Sequence, residues 1–175
     1  SDVFGTADTF CENLKKIDST LLSDIKRIGQ LTGELHIKFA IDHRDSKFTP
    51  EMISLEDTKM WADKYCDLVD QSMALMNKKM TSKTEGYQRF ESILKQSEKL
   101  KSVTNKLNLL VSKKIHKIRQ HGDFHLGQVL KGKNGWILFD FEGEPLRSIQ
   151  DRKQKYCALK DVAGMLRSLS YAAHV

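Results

Sequence analysis

Proline is nearly absent from this chain, with two in 175 residues, and glycine is sparse at ten. So few breakers exclude a turn-rich all-β fold and leave long stretches free to stay helical. Cysteine is scarce too. Cys11, Cys66 and Cys157 are odd in number, widely separated and lack C-x-x-C spacing. That pattern argues against a disulfide framework or a zinc site and suits a reducing, cytoplasmic setting. No apolar run approaches the about 20 residues of a membrane span, and the opening Ser1-Asp2-Val3-Phe4 carries no signal-peptide pattern. No membrane partner is therefore expected. Nor is there a tract of like charge. The net charge is +6, but the basic residues are scattered among acids and not interleaved with aromatics. They read as solvated helix surfaces, not as a nucleic-acid interface.

What is present is the material of a packed core: 39% hydrophobic against 30% charged residues excludes disorder. Phe10, Leu14, Ile17, Leu21, Ile25, Ile28, Leu31, Leu35 and Phe39 recur at steps of three or four. They form one stripe on an amphipathic helix over about 7–41, opened by Thr6 or Asp8. Thr49-Pro50 signals a second helix over about 50–79, with Ser54 and Asp57 as a possible restart. After a turn at Thr81-Ser82-Lys83-Thr84, Tyr87, Phe90, Leu100, Val103, Leu107, Leu110 and Ile115 suggest a third helix over about 84–117.

The character changes near residue 118. His121-Gly122-Asp123-Phe124-His125-Leu126-Gly127-Gln128 has no helical period and reads as a loop. Val129-Leu130 and Trp136-Ile137-Leu138-Phe139 flank an Asn134-Gly135 turn, the pattern of a β-hairpin. Asp140-Phe141-Glu142-Gly143-Glu144-Pro145 leaves that hairpin as a second polar loop, and Asp161 opens a last helix as a cap or as a brace for a loop. The expected organisation is a helical part, 1–117, followed by 118–175 with the loops, the hairpin and the final helix. The fold class is mainly α with a small β-hairpin (α+β).

A loop carboxylate and amide followed by an aspartate at a strand end is a set suited to phosphoryl transfer. One carboxylate orients and deprotonates an attacking hydroxyl. Hard oxygen donors hold Mg²⁺ against nucleotide phosphates. Zinc is the competing reading of His121 and His125, but such pairs sit on helices, and Gly122 and Gly127 argue against one here.

Residues 121–128 resemble the H-G-D-x-H-x-G-[NQ] loop of aminoglycoside phosphotransferases and their kinase-like relatives. The blocks Asp140-Phe141-Glu142-Gly143-Glu144-Pro145, Asp161-Val162-Ala163-Gly164-Met165-Leu166-Arg167-Ser168 and Tyr171-Ala172-Ala173 are similar to maltokinases in particular. So is Ile28-Gly29-Gln30-Leu31-Thr32-Gly33-Glu34-Leu35-His36. The resemblance implies part of the carboxyl-terminal lobe of a protein-kinase-like fold, using ATP and Mg²⁺ to convert maltose to maltose 1-phosphate. It implies Asp123 as catalytic base, His125 fixing the loop or touching phosphate, and His121, Gln128 and Asp140 at the nucleotide. Gln128, Asp140 and Glu142 are its metal candidates, and Glu142, Glu144 and Arg167 its substrate candidates. Cys157-Ala158-Leu159-Lys160 departs from the Ser-Pro-Leu-Arg usual there.

No strand-rich amino-terminal lobe with a nucleotide-binding lysine is seen. The expectation is a piece of a longer kinase, inactive alone. Two alternatives accompany it. One is a kinase of the same fold acting on another sugar or an aminoglycoside. The other is a non-catalytic helical domain that assembles with a partner such as trehalose synthase.

Overall fold

The structure is a computed structural model, and it describes residues 19–41, 45–81 and 87–174. The expected cap at Thr6 or Asp8, the stripe positions Phe10, Leu14 and Ile17, Cys11, His43 and the turn residues Ser82, Lys83 and Thr84 lie outside those residues. The described part is mainly helical with two small antiparallel pairings, as its composition implies. No helix among the described residues is long and apolar enough to cross a membrane. The chain divides into two compact units, one formed by Ser1–Thr49 with Ile118–Val175 and the other by Pro50–Lys117.

The first unit holds both polar loops. Its long helix α1, Ser19–Ile41, turns Ile28 and Thr32 inward one turn apart. Ile28, Phe124 and Met165 form its buried centre, with Leu126, Val129, Trp136, Leu138 and Leu169 packed around them. Phe124 is 2% exposed. A phenylalanine so placed contributes about 2–3 kcal/mol of burial, which fixes the loop that carries it. Trp136 joins this core, whereas Phe139 is 42% exposed.

In the second unit, strand β1 (Glu51–Met52) follows Pro50, and helix α2 runs Leu55–Lys79. The helix starts at the Ser54 restart and not at Pro50, because Ser54 and Asp57 close a capping box. Lys117 pairs with Asp57 at 2.7 Å, and strand β2 (His116–Ile118) runs antiparallel to β1 with Glu51 opposite Lys117.

The single helix expected over 84–117 is several pieces: α3 (Tyr87–Leu94), α4 (Ser97–Ser102), a 3-10 stretch (Val103–Leu107) and α5 (Asn108–Ser112). Hydroxyls accompany the later breaks. Ser102, Thr104 and Ser112 each donate to the carbonyl three residues back, bonds that favour tight turns over a continuous ladder. Lys114 at φ 52° then ends helicity.

Back in the first unit, β3 (Val129–Gly132) and β4 (Gly135–Leu138) form the expected hairpin. Gly132 faces Gly135, so Lys133 and Asn134 are the two turn residues and Gly135 opens β4. Helix α6 (Ile149–Lys153), strand β5 (Tyr156–Cys157) and helix α7 (Leu159–Ala172) complete the described chain.

Candidate active site

Two loops of the first unit, 121–128 and 140–145, are brought together by the hairpin between them. Val129 pairs with Leu138, and the Phe139 N–H donates to the Gln128 carbonyl at 3.3 Å. The residues flanking the hairpin are therefore neighbours across its open end. Asp140 takes φ 64° there, a left-handed conformation uncommon for residues other than glycine and concentrated at functional positions.

Four predicted side chains are brought into one series. The Asp123 carboxylate is 4.0 Å from His125 Nε2. His125 Nε2 is 3.4 Å from Gln128 Nε2, and Gln128 Nε2 donates to Asp140 Oδ2 at 3.0 Å. His125 Nδ1 accepts the Gly127 N–H at 3.0 Å, which places the neutral ring's proton on Nε2, so that Nε2 and the Gln128 amide nitrogen are neighbouring donors and not partners. Gly127 is required for this, since a Cβ there would lie 2.8 Å from His125 Cε1. Asp123 and His125 remain accessible, at 29% and 39% side-chain exposure, while Gln128 is 7% exposed.

Gln128 Oε1 is buried and has no hydrogen-bond partner among the described residues. That orphaned acceptor beside a carboxylate is the donor set of a hard cation. Turning the amide over would set two oxygens 3.0 Å apart, close to the edge of an octahedron of about 2.1 Å bonds. Magnesium fits such a site because it takes one or two protein oxygens and completes its shell with water and phosphate. Among the described residues no group of three His, Cys, Asp or Glu could hold a metal. Asp140 and Gln128 are the two oxygen-bearing side chains that meet here.

The remaining candidates lie apart from that series. His121 is 1% exposed. Its Nε2–H donates to the Phe139 carbonyl at 2.9 Å, and its ring packs against Phe124 and Phe141. It braces one loop on the other and offers no surface to a nucleotide, in place of the contact expected for it. Glu142 lies 3.5 Å from Arg152, and Glu144 pairs with Arg147. Glu144, Arg147 and Lys160 line a small polar cleft together with Gly122 and Gly143. Burial, then the Arg147 charge, pushes the Lys160 ammonium below its ordinary range, and its described contact is the Tyr156 ring at 4.2 Å. Arg167 is exposed on α7.

Helix α7 holds the first loop from beneath. Asp161 is 2% exposed and serves as the loop brace, not the cap. Its Oδ2 accepts the His121 N–H at 2.9 Å and its Oδ1 the Gly122 N–H at 3.0 Å. His36 Nε2 donates to Oδ2 at 2.9 Å. One turn on, Gly164 lets the helix abut the loop, since a Cβ there would meet the Phe124 carbonyl oxygen at 2.6 Å. A further turn on, the Ser168 hydroxyl accepts the Leu126 N–H at 3.1 Å. Positions 161, 164 and 168 share one helix face, a spacing present in the sequence. The partnership with His36, 125 residues away, has no local signal.

The architecture and the two converging loops are those of a kinase-like lobe fold, and solved structures share that fold. A glucosamine kinase in complex with glucosamine, ADP and inorganic phosphate superposes with a TM-score of 0.63 at 24% identity, over 82% of this chain and 32% of that one. A second crystal form of a glucosamine kinase gives 0.64 at 24%, over 82% and 31%. In sequence, the chain is 27% identical to the glucosamine kinase of Mycolicibacterium smegmatis over 156 residues, 89% of this chain and 34% of that protein. It is 27% identical to the glucosamine kinase of Streptacidiphilus jiangxiensis over 149 residues, 85% and 30% of the two. The chain thus spans about a third of the length of the curated relatives it matches. No family model matches it. These similarities support a sugar kinase of kinase-like fold and do not single out maltokinases.

Proposed function

We propose that this chain is the phosphoryl-transfer part of an ATP-dependent sugar kinase, working within a longer protein. The observation that carries the reading is the run of Asp123, His125, Gln128 and Asp140 across two loops. Asp123 is the general base: it orients the acceptor hydroxyl and takes its proton as the oxygen attacks the terminal phosphorus. His125 holds the loop through the Gly127 N–H and directs its Nε2 proton toward Asp123 and the transferring group. Gln128 and Asp140 would hold Mg²⁺, which when bound would neutralise charge on the nucleotide phosphates. The polar cleft with Glu144 and Lys160 beside Gly122 is the candidate side for the acceptor.

For the acceptor itself, the ordered sequence blocks favour maltose, with maltose 1-phosphate as product; assembly with trehalose synthase goes with that reading. A second acceptor, glucosamine, is favoured by the names of the relatives that match. A coupled ADP-release assay on the full-length protein with maltose, glucose, glucosamine and an aminoglycoside separates them. Turnover dependent on one sugar supports the kinase reading and names the acceptor. Absence of Mg²⁺-nucleotide binding would leave the non-catalytic assembly role in its place.

A further inference from the structure

Asp161 accepts the N–H groups of His121 and Gly122, the two residues that lead into the proposed base, and its carboxylate is also held from outside the loop. Both of its oxygens are engaged: Oδ1 by Gly122 N–H, Oδ2 by His121 N–H and by the ring of His36. The bond to Gly122 selects one conformation, φ 91°, for a residue whose backbone has wide freedom. A carboxylate 2% exposed needs every donor it has. Without His36, Oδ2 would keep only the His121 N–H and Oδ1 the Gly122 N–H, one donor to each buried oxygen.

The ring of His36 is the donor that comes from elsewhere in the sequence. Asp161 is an acceptor only, so His36 Nε2 carries the proton in this bond. The ring is 12% exposed, at the end of an apolar groove lined by Ile28, Thr32, Met165 and Leu169 of α1 and α7. Its place on α1 is fixed by the helix, since Thr32 and Ile28 on the same face are buried in the core. A rigid helix thus reaches the catalytic loop through one imidazole and one carboxylate.

We propose that His36 is a positioning residue for phosphoryl transfer, acting through Asp161 to hold the His121 and Gly122 peptides that lead into Asp123. The inference rests on the kinase reading above, with Asp123 as the working base. It assigns His36 no contact with substrate or nucleotide. Its loss therefore lowers the rate of the bound complex and not the affinity for either ligand. Misplacing a reacting group by about 1 Å costs on the order of 100-fold, and a slackened loop is expected to lose about 10- to 100-fold.

The test compares His36→Phe, which keeps the ring and removes the donor, with His36→Gln, whose amide can donate to the same oxygen. Both are measured in the full-length protein. The expected result is a kcat about 10- to 100-fold lower in His36→Phe, KM values for sugar and nucleotide within about twofold, and recovery of most of the rate in His36→Gln. His36→Asn, whose shorter amide falls short of Asp161, carries the same test if His36→Phe does not fold. Unchanged kcat, a loss confined to KM, or equal loss in the Phe and Gln variants overturns the proposal. Asp123→Asn, run alongside, separates the two claims. If it retains activity, the site reading fails; if it is inactive while His36→Phe is normal, only the role of His36 fails.

Discussion

The Gln128 amide nitrogen donates to Asp140 Oδ2 at 3.0 Å, and the hairpin register makes the two residues neighbours. Val129 opposite Leu138 closes the ladder, so the residue before one strand and the second residue after the other emerge side by side. Their chemistry follows from that register. A buried amide oxygen without a partner among the described residues and a carboxylate in a left-handed backbone conformation are costly as pure structure, which is what the proposed cation would offset.

Asp123 is expected to be indispensable to turnover and dispensable to folding. Its side chain is 29% exposed, and replacement by asparagine preserves size while removing the base. Asp123→Asn should lower kcat by about 10²–10⁴-fold with an unchanged circular dichroism spectrum and melting temperature. Residual activity above a tenth of the parent would remove Asp123 from that role.

Asp161 should govern acid stability. Burial alone would raise its pKa, but hydrogen bonds from His36, Gly122 N–H and His121 N–H outweigh burial and hold it below its usual 3.8. A carboxyl group depressed in the folded state stabilises fully above its unfolded pKa, and the contribution is lost as pH falls through the folded value. Asp161→Asn should therefore cost roughly 2 kcal/mol at neutral pH. Between neutral pH and pH 3.8 the difference from the parent should hold steady, then shrink below it. Denaturant melts across that range check the sign; a difference that grows on acidification would contradict the assignment.

Two glycines on facing helices should respond in opposite directions to alanine. Gly164 faces the Phe124 carbonyl oxygen at 2.6 Å from a built Cβ, whereas a Cβ on Gly29 meets nothing within 4 Å. Gly164→Ala forces helix and loop apart and should destabilise by about 1–3 kcal/mol, with activity falling as the loop moves. Gly29→Ala removes backbone entropy from the unfolded chain and should stabilise by about 0.5–1 kcal/mol. Thermal melts of the two variants decide the matter.

The parts of the fold that local chemistry dictates were legible in the sequence. The apolar stripe of α1, the hairpin and the polar loops at 121–128 and 140–145 follow from spacing and turn residues. The Ser54–Asp57 box was visible, but Pro50 competes with it as a helix start; the structure gives the start to the box because it satisfies two backbone donors. Residues 84–117 misled because hydrophobic period does not register hydroxyls that bond back to the chain. The site was legible where its residues lie within a few positions of one another, as Asp123, His125 and Gln128 do. His121 was not, since its burial depends on Phe141 from the other loop, and neither was His36, whose partner lies on the last helix.

The central claim is that Gln128 and Asp140 share one divalent ion beside an independent base, Asp123. Electron paramagnetic resonance of Mn²⁺ titrated into the full-length protein with nucleotide measures this directly. Affinity for the ion should fall at least about tenfold in Asp140→Ala and in Gln128→Ala, the loss of one good ligand, while Asp123→Asn binds it as the parent does. Equal Mn²⁺ affinity in all four proteins would contradict the account.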